Sequence, residues 1–206
     1  MKENKTNFES FESIILAIIM SIFILFSIYF FTIFLFIVPV PFIIYGIKSD
    51  LKSALLSLLA SLLTVGIILE PTVSILLLLI YGPFTGLNVY LIQKRYSAFK
   101  VVIYSAALLF VSNMILYGIL NIRGLDIITQ LKDNFSQSLI LQMDILKEAG
   151  LTTHELLKQR DTLRSTFETV LMIIPAISII SMSIWSYISY SLTRYGLKKI
   201  GIRSLL

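Results

Sequence analysis

Long apolar runs separated by short charged segments dominate the pattern of the chain. From Ile14 to Ile47 there are 34 consecutive residues without a charge, and a single helix of that length would extend about 51 Å at about 1.5 Å per residue. The hydrocarbon core of a bilayer is about 30 Å thick, so the run must tilt strongly, break or cross twice. We favour two crossings, residues 14–30 and 31–47, with a turn near Tyr29–Thr32.

Four further apolar segments continue the pattern, and we place them at residues 53–69, 72–93, 101–120 and 169–193. The second crossing should be short and irregular around Pro39 and Pro41, because proline lacks the backbone donor that a helix interior needs. The predicted fold class is therefore all-α: a polytopic helical membrane protein of about six transmembrane helices. A long polar segment between the fifth and sixth spans is predicted to form an extracytoplasmic helical hairpin.

Lysine and arginine orient this bundle through the positive-inside rule. With six spans and both termini in the cytoplasm of a cell-membrane protein, the inner segments hold Lys2, Lys5, Lys48, Lys52, Lys94, Arg95, Lys100, Arg194, Lys198, Lys199 and Arg203. The two short outer turns hold no basic residue. A five-span alternative, which merges the first two crossings, places Lys2 and Lys5 outside and fits less well.

The predicted domains follow from this topology. They are a cytoplasmic N-terminus (1–13), a five-helix membrane part (14–120), an extracytoplasmic amphipathic segment (121–168), the last transmembrane helix (169–195) and a basic cytoplasmic tail (196–206). The extracytoplasmic segment carries 13 of the 29 charged residues. Partner or ligand specificity is therefore most strongly expected there.

An apolar stripe predicts a helix in the first part of the extracytoplasmic segment. It consists of Leu125, Ile128, Leu131, Phe135, Leu139, Met143 and Leu146, spaced by three or four residues. Gly150 is a typical C-terminal stop, and Thr152 with Glu155 has the spacing of a capping box that opens a second helix. This second helix is expected to run on into the sixth span. Two alternatives stay open: the hairpin caps the outer mouth of the bundle, or it rests on lipid headgroups.

Composition excludes several classes of protein. The chain is 57% hydrophobic and 14% charged, whereas a soluble domain carries about 25% charged residues. It has no cysteine and one histidine, His154, which excludes thiolate and multi-histidine metal sites. We interpret the net charge of +5 as topology and expect no nucleic acid partner. Catalytic and nucleotide-binding motifs are absent, so we predict no enzyme, no catalytic residues, no metal and no cofactor.

Polar or helix-breaking residues inside membrane spans are candidate functional sites. The candidate ligand-binding residues are Glu70, Gly82, Pro83, Asn88, Asn113 and Trp185. Glu70 is the carboxylate nearest the ends of two spans, and the glycine and proline predict an open or kinked helix. Each residue also has a structural alternative: an interfacial carboxylate, an ordinary membrane kink, asparagines that bond helix to helix, and an aromatic anchor.

Small residues form a stripe along the first span. Ser13, Ala17 and Ser21 are four residues apart, so they share one helix face and allow close approach of another helix. A second small-residue face lies on the third span at Ser53, Ser57, Ser61 and Thr64. The stripe predicts packing, either within the bundle or against a partner membrane protein.

Four motifs give the chain a resemblance to a known family. They are V-P-V-P-F-I-I-Y-G-I-K at Val38–Lys48, G-P-F-T-G at Gly82–Gly86, I-I-P-A at Ile173–Ala176 and Y-S-L-T-R at Tyr190–Arg194. The chain resembles the YybS-like family of uncharacterised bacterial multipass membrane proteins. That family is distantly similar in fold to the substrate-binding S components of energy-coupling-factor vitamin transporters, which are compact six-helix proteins.

The resemblance implies a function and partners. S components bind a vitamin at their outer side and dock a transmembrane partner through small residues of the first helix. It implies that Ser13, Ala17 and Ser21 dock such a partner, with ATPase subunits completing the complex, and that Glu70, Asn88, Asn113 and Trp185 surround an unknown small molecule. The alternative is a membrane scaffold or assembly protein that binds other proteins through its helix faces and outer hairpin. An ion-coupled carrier is disfavoured, because internal carboxylates are nearly absent.

The predicted topology can be tested with reporter fusions. A periplasmic-type reporter inserted at Lys147 should be active outside the cell, and a cytoplasmic reporter after Arg203 should be active inside, because the basic residues hold both termini in the cytoplasm. Cytoplasmic activity of the Lys147 fusion would contradict the six-span arrangement.

Overall fold

The computed structural model describes the backbone of residues 2–202 and the side chains of residues 11–202. Over this part the chain is helical and has no β-strand, which confirms the all-α fold class. The elements are α1 (Lys2–Phe30), a 3-10 helix (Thr32–Ile37), α2 (Pro39–Lys48), α3 (Leu51–Ile68), α4 (Pro71–Gln93), α5 (Ala98–Ile122), α6 (Ile127–Glu148) and α7 (Thr153–Lys199). The side chains of Lys2 and Lys5, and residues 203–206 with Arg203, lie outside the described residues.

Among the described residues, five segments are long and apolar enough to cross a membrane: Phe11–Phe30, Leu51–Ile68, Pro71–Gln93, Ala98–Ile122 and Thr153–Lys199. The first four agree with the predicted spans to within three residues at either end. The fifth is the 47-residue α7, which includes both the second hairpin helix and the predicted sixth span. The prediction that these two segments form one helix is confirmed.

The second predicted crossing, 31–47, is not one α-helix. The backbone departs from helical geometry at Phe31 (φ −147°, ψ 80°), and the 3-10 helix and α2 follow. Pro39 and Pro41 lie in the first turn of α2, where backbone N–H groups have no helical partner, so they begin the helix rather than break it. Lengths of about 12 Å for the 3-10 helix and about 15 Å for α2 follow from their rise per residue. The predicted break near residues 29–32 and the irregular second segment are confirmed.

Polar caps define the helix ends around α6 and α7. The Asp126 carboxylate accepts hydrogen bonds from the Thr129 hydroxyl at 2.7 Å and the Thr129 N–H at 3.2 Å, and these bonds lower the pKa of Asp126. Gly150 has a φ of +91° just after the end of α6, a conformation that favours glycine. Thr152 donates to the Glu155 carboxylate through its hydroxyl (2.7 Å) and its N–H (2.9 Å), which lowers the pKa of Glu155. The predicted helix stop and capping box are confirmed.

The chain divides into two compact units, Met1–Asn113 with Ser181–Leu206, and Met114–Ile180. We call them the first and the second unit. The first unit has two buried apolar clusters. One lies among α1, α2, α3 and α4 and contains Met20, Ile24, Val38, Phe42, Leu58, Leu62, Val65 and Tyr81. The other joins α2, α4, α5 and α7 and contains Ile43, Ile47, Phe84, Val89, Leu91, Ile92, Val101, Leu109 and Leu197.

Glycine permits α2 to pack closely against its neighbours. A Cβ on Gly46 would lie 2.8 Å from Val89 Cγ2 and 3.1 Å from Ala54 Cβ, and a Cβ on Gly196 would lie 2.5 Å from Ile44 Cδ1. Such distances are shorter than normal carbon contacts. The absence of a side chain at these positions therefore lets α2 approach α3, α4 and α7.

Side chains of α4 and α7 bind the backbone of the 3-10 helix. The Tyr81 hydroxyl donates to the Leu35 carbonyl at 3.0 Å, and the Trp185 indole N–H donates to the Phe36 carbonyl at 2.8 Å. The Ser189 hydroxyl also donates to the Phe36 carbonyl, at 3.4 Å. The Leu35 carbonyl also accepts a hydrogen bond from the Val38 N–H at 3.3 Å, so Tyr81 adds a second bond to it. A carbonyl without any partner in the apolar interior of a membrane costs several kcal/mol. The interruption after α1 is therefore stabilised by residues that are distant in sequence.

A Tyr81→Phe variant tests this stabilisation. It keeps the ring but removes the donor to Leu35, so we expect the free energy of unfolding to fall by about 1–2 kcal/mol. The matched control is Tyr90→Phe on the same helix, where the side chain is 50% exposed, with an expected change below about 0.5 kcal/mol. Unfolding in mixed micelles can be followed by the fluorescence of Trp185, the single tryptophan. Equal stability of the two variants would contradict this role of Tyr81.

Candidate functional site

Glu70 lies at the N-terminus of α4 and is exposed. It occupies the capping position with extended backbone (φ −163°, ψ 134°), and its side chain makes no capping hydrogen bond. Pro71 follows as the first helical residue, where proline is well tolerated. Glu70 therefore lies at a helix end rather than in the bundle interior, which agrees with its alternative interpretation as an interfacial carboxylate.

The helix through Gly82 and Pro83 is continuous: α4 extends from Pro71 to Gln93 with Pro83 inside it. Of the two predicted alternatives, an open or a kinked helix, the open one is wrong. Pro83 removes one backbone donor from a helix that continues past it on both sides. A Cβ on Gly82 would meet Leu78 Cδ1 at an ordinary 3.7 Å, and one on Gly86 would meet nothing within 4 Å. Neither glycine is needed for a close approach at this place.

Trp185 belongs to an aromatic cluster inside the first unit, which we define as Phe36, Tyr81, Phe84 and Trp185. The indole stacks on Phe84 with ring centroids 5.6 Å apart, contacts Phe36 at 5.1 Å and meets the edge of Tyr81 at 6.1 Å. Its N–H is already bonded to the Phe36 carbonyl. Both the ring and its donor are thus engaged within the chain.

The contacts of Trp185 with Tyr81 and Phe36 were not predicted from the sequence. The indole donor and its acceptor are 149 residues apart, and no local periodicity links positions at that distance. The available clue was chemical: buried tyrosine and tryptophan usually find a hydrogen-bond partner for their polar atom.

Asn88 is 1% exposed and only half satisfied. Its amide nitrogen donates to the Phe84 carbonyl of its own helix at 2.8 Å, while its amide oxygen has no hydrogen-bond partner among the described residues. Thr85, one turn earlier on the same helix, is fully buried and its hydroxyl also has no partner there. Two polar groups without partners therefore lie next to each other along the buried side of α4.

Asn113 differs from Asn88 in its environment. It is half-buried, and its amide nitrogen donates to the Leu109 carbonyl of its own helix at 2.9 Å. Among the described residues, the side-chain bonds of both asparagines are to their own helices, and not to another helix as in the helix-to-helix alternative. The structure does not bring Glu70, Asn88, Asn113 and Trp185 together around a common cavity among those it defines.

The small-residue stripe of α1 packs within the chain. The hydroxyls of Ser13 and Ser57 are 2.6 Å apart. The Ser21 hydroxyl donates to the Ala17 carbonyl of its own helix at 2.7 Å and lies 3.3 Å from the Ser61 carbonyl of α3. Ala17 and Ser21 are 7% and 4% exposed. α3 therefore covers the face that was a candidate for docking a transmembrane partner. Of the two predicted uses of this stripe, packing within the bundle is the one observed.

In the second unit, α6 contacts α7 through the predicted apolar stripe. The rings of Phe135 and Phe167 stack with centroids 3.9 Å apart. The stripe residues Ile128, Phe135, Leu139, Met143 and Leu146 are half-buried, whereas Leu125 and Leu131 are exposed. A groove of about 610 Å³ lies along this contact, with Lys132, Arg164 and Glu168 among its lining residues.

A second apolar face of α6 is uncovered. Ile140, Leu141 and Ile145 are 62%, 65% and 66% exposed, and we call these three residues the α6 patch. No residue of α6 is buried. The sequence indicated this second face, although it was not predicted. Leu139, Ile140 and Leu141 are consecutive, and one helix face cannot bury all three.

Comparison with known proteins gives one match. A family model described as a predicted membrane protein, DUF2232, matches residues 13–205, a range that covers nearly the whole chain. No curated protein and no solved structure matches the chain significantly. The matched range includes the long apolar helices of the described residues, except for the first two residues of Phe11–Phe30. The chain is a multipass integral membrane protein and belongs to the DUF2232 family of predicted membrane proteins.

Proposed function

We propose that the protein is a membrane assembly protein that binds another protein through the α6 patch. Supporting this, the side chains favoured as ligand contacts or docking residues are largely used inside the fold: Trp185 in the aromatic cluster, and Ala17 and Ser21 against α3. The observation that carries the proposal is the exposure of Ile140, Leu141 and Ile145 on α6. Exposed apolar patches with a polar rim are typical of interaction sites.

Charge indicates the chemistry of the partner. Asp133, Asp144 and Glu148 are exposed and are three, four or seven residues from members of the α6 patch, so they lie on the same side of the helix. Lys147, also exposed and seven residues from Ile140, is the one basic residue at such a spacing. Lys132 lies about 180° from Leu141 at about 100° per residue. A face with three carboxylates and one ammonium is net negative, which favours a basic amphipathic segment of another protein. It disfavours an anionic headgroup surface, which would repel these carboxylates.

The proposed topology puts this surface outside the cell membrane. With six spans and cytoplasmic termini, α6 and the first part of α7 are extracytoplasmic, as the distribution of lysine and arginine indicates. The partner is then a protein with an extracytoplasmic basic segment.

Site-specific photo-cross-linking in native membranes tests the assembly function. A photoreactive residue at Leu141 should yield a protein adduct of defined mass, whereas one at Lys132 on the opposite face is the matched control and should not. Ile140→Ser with Ile145→Ser should lower the adduct yield at least about tenfold, because two buried apolar anchors contribute more than about 1.4 kcal/mol.

Charge reversal separates the stated partner from other occupants. Asp144→Lys with Glu148→Lys should lower the same adduct several-fold, since the expected segment is basic. Adducts with lipid alone at Leu141, equal yields at Lys132, or an adduct insensitive to the charge reversal would each contradict the proposal.

A second candidate function is a small-molecule-binding subunit of S-component type. The unpartnered oxygens of Asn88 and Thr85 favour it, because buried polar groups in a membrane bundle are costly and often mark a ligand or ion path. The resemblance to S components adds that such a subunit works with a transmembrane partner and ATPase subunits. Docking through Ser13, Ala17 and Ser21 is not part of this proposal, since α3 covers that face.

Mass spectrometry of small molecules retained by the purified protein tests this second candidate. Wild type should retain a compound that Asn88→Leu loses at least about tenfold, as expected when a buried acceptor is removed from a ligand. Asn113→Leu is the matched control and should retain it, because Asn113 is half-buried whereas Asn88 holds a buried amide oxygen without a partner among the described residues. Retention of no compound above the detergent blank would contradict this candidate.

A further inference from the structure

An open groove lies between the first turns of α5 and the last turns of α7, wholly within the first unit. Its volume is about 610 Å³. We define the basic-end groove by Phe99 and Val102 of α5 and Tyr187, Arg194, Tyr195 and Lys198 of α7. Its size is within the range of about 300–1,000 Å³ that small-molecule sites occupy.

The groove lies at the end of the unit where the basic residues collect. The Gln93 amide nitrogen donates to the Gly46 carbonyl at 3.3 Å, so the last turns of α4 and α2 meet. Leu197 shares a buried cluster with Ile47 and Val101, so the end of α7 and the beginning of α5 lie at the same place. Five further basic residues follow or precede these helix ends: Lys48, Lys94, Arg95, Lys100 and Lys199.

The cations of the groove have no carboxylate partner in the part of the chain that the structure describes. The ion pairs there join Lys48 to Glu12, Arg160 to Asp161 and Arg164 to Glu168. No acidic residue lines the groove. Arg194 and Lys198 are four residues apart on one helix, so both project toward the same side. Among the described residues, the groove therefore presents two positive charges without a carboxylate partner.

The apolar and charged parts of the groove are arranged along the helix axis. Tyr187 lies inside the uncharged run 169–193 of α7, whereas Arg194 and Lys198 follow the end of that run. The aromatic walls are open to the surroundings, with Phe99, Tyr187 and Tyr195 exposed by 74%, 62% and 67%. In a bilayer this order places Tyr187 at the depth of the upper acyl chains, and the two cations with Tyr195 at the depth of phosphate groups.

We propose that the basic-end groove binds an anionic phospholipid. Its phosphate lies between the Arg194 guanidinium and the Lys198 ammonium, and its acyl chains lie against Phe99, Val102 and Tyr187. Charge complementarity selects an anionic lipid over a zwitterionic one, because no carboxylate of the groove can receive a choline or ethanolamine cation. An ordinary aromatic belt explains exposed tyrosines but not two unpaired cations flanking a concave, partly apolar surface. This site is independent of the proposed α6 partner.

Native mass spectrometry of the full-length chain in micelles with added lipid tests the proposal. Wild type should bind palmitoyl-oleoyl phosphatidylglycerol more tightly than the phosphatidylcholine of the same chains. Arg194→Gln with Lys198→Gln should weaken the phosphatidylglycerol affinity by up to about 30-fold, because each cation near an anionic surface contributes about fivefold. Its phosphatidylcholine affinity should be unchanged.

The matched control is Lys94→Gln with Arg95→Gln, which removes the same charge at the same end but outside the groove. It should change the phosphatidylglycerol affinity by less than about threefold. Arg194→Lys with Lys198→Arg keeps both charges and should keep the preference for phosphatidylglycerol. Unchanged Trp185 fluorescence verifies that each variant is folded.

Three results would overturn the proposal. Equal losses in the two glutamine double variants would show a diffuse effect of net charge. Displacement of the lipid by millimolar inorganic phosphate would show a site for soluble phosphate. Dimers that disappear in the Arg194→Gln, Lys198→Gln variant, without selective lipid binding, would show that a second copy of the chain occupies the groove.

Discussion

The first unit depends on satisfying the backbone where the apolar chain stops being an α-helix after Phe30. In a bilayer, water cannot pair with carbonyls exposed by such an interruption, so other groups of the chain must do it. Trp185 from α7 bonds to the carbonyl of Phe36, and Tyr81 from α4 adds a second bond to the carbonyl of Leu35, which also accepts from the Val38 N–H. These bonds connect three distant segments and also explain why the single tryptophan is engaged inside the fold.

Close helix packing supports the same arrangement. Gly46 and Gly196 let α2 approach its neighbours, and serine side chains join α1 to α3. These contacts use small residues that could equally have served an external partner. Two surfaces of opposite net charge remain uncovered. One is the α6 patch with its neighbouring carboxylates, and the other is the basic-end groove with Arg194 and Lys198. Opposite charges suit different partners, a basic protein segment for the first and an anionic lipid for the second.

The candidate site was predicted less well than the fold. Trp185 and the stripe of Ser13, Ala17 and Ser21 were correctly identified as unusual positions, but their partners turned out to be within the chain. At Pro83 the sequence predicted an open or kinked helix, and the open alternative is wrong because the helix is continuous. A residue type limits what its side chain can bond to, whereas the choice among internal contact, ligand and partner depends on which other segments are near.

The sequence by itself determined the membrane class, the helix ends to within a few residues, the interruption near Phe31 and the capping box at Thr152 and Glu155. These features depend on hydropathy, charge and turn chemistry over short distances, which are local properties of the chain. Only the tertiary structure decided that Trp185 binds the Phe36 carbonyl, that α3 covers the α1 stripe, and that Ile140, Leu141 and Ile145 are exposed. Each of these results from helix packing, which joins residues that no local pattern relates.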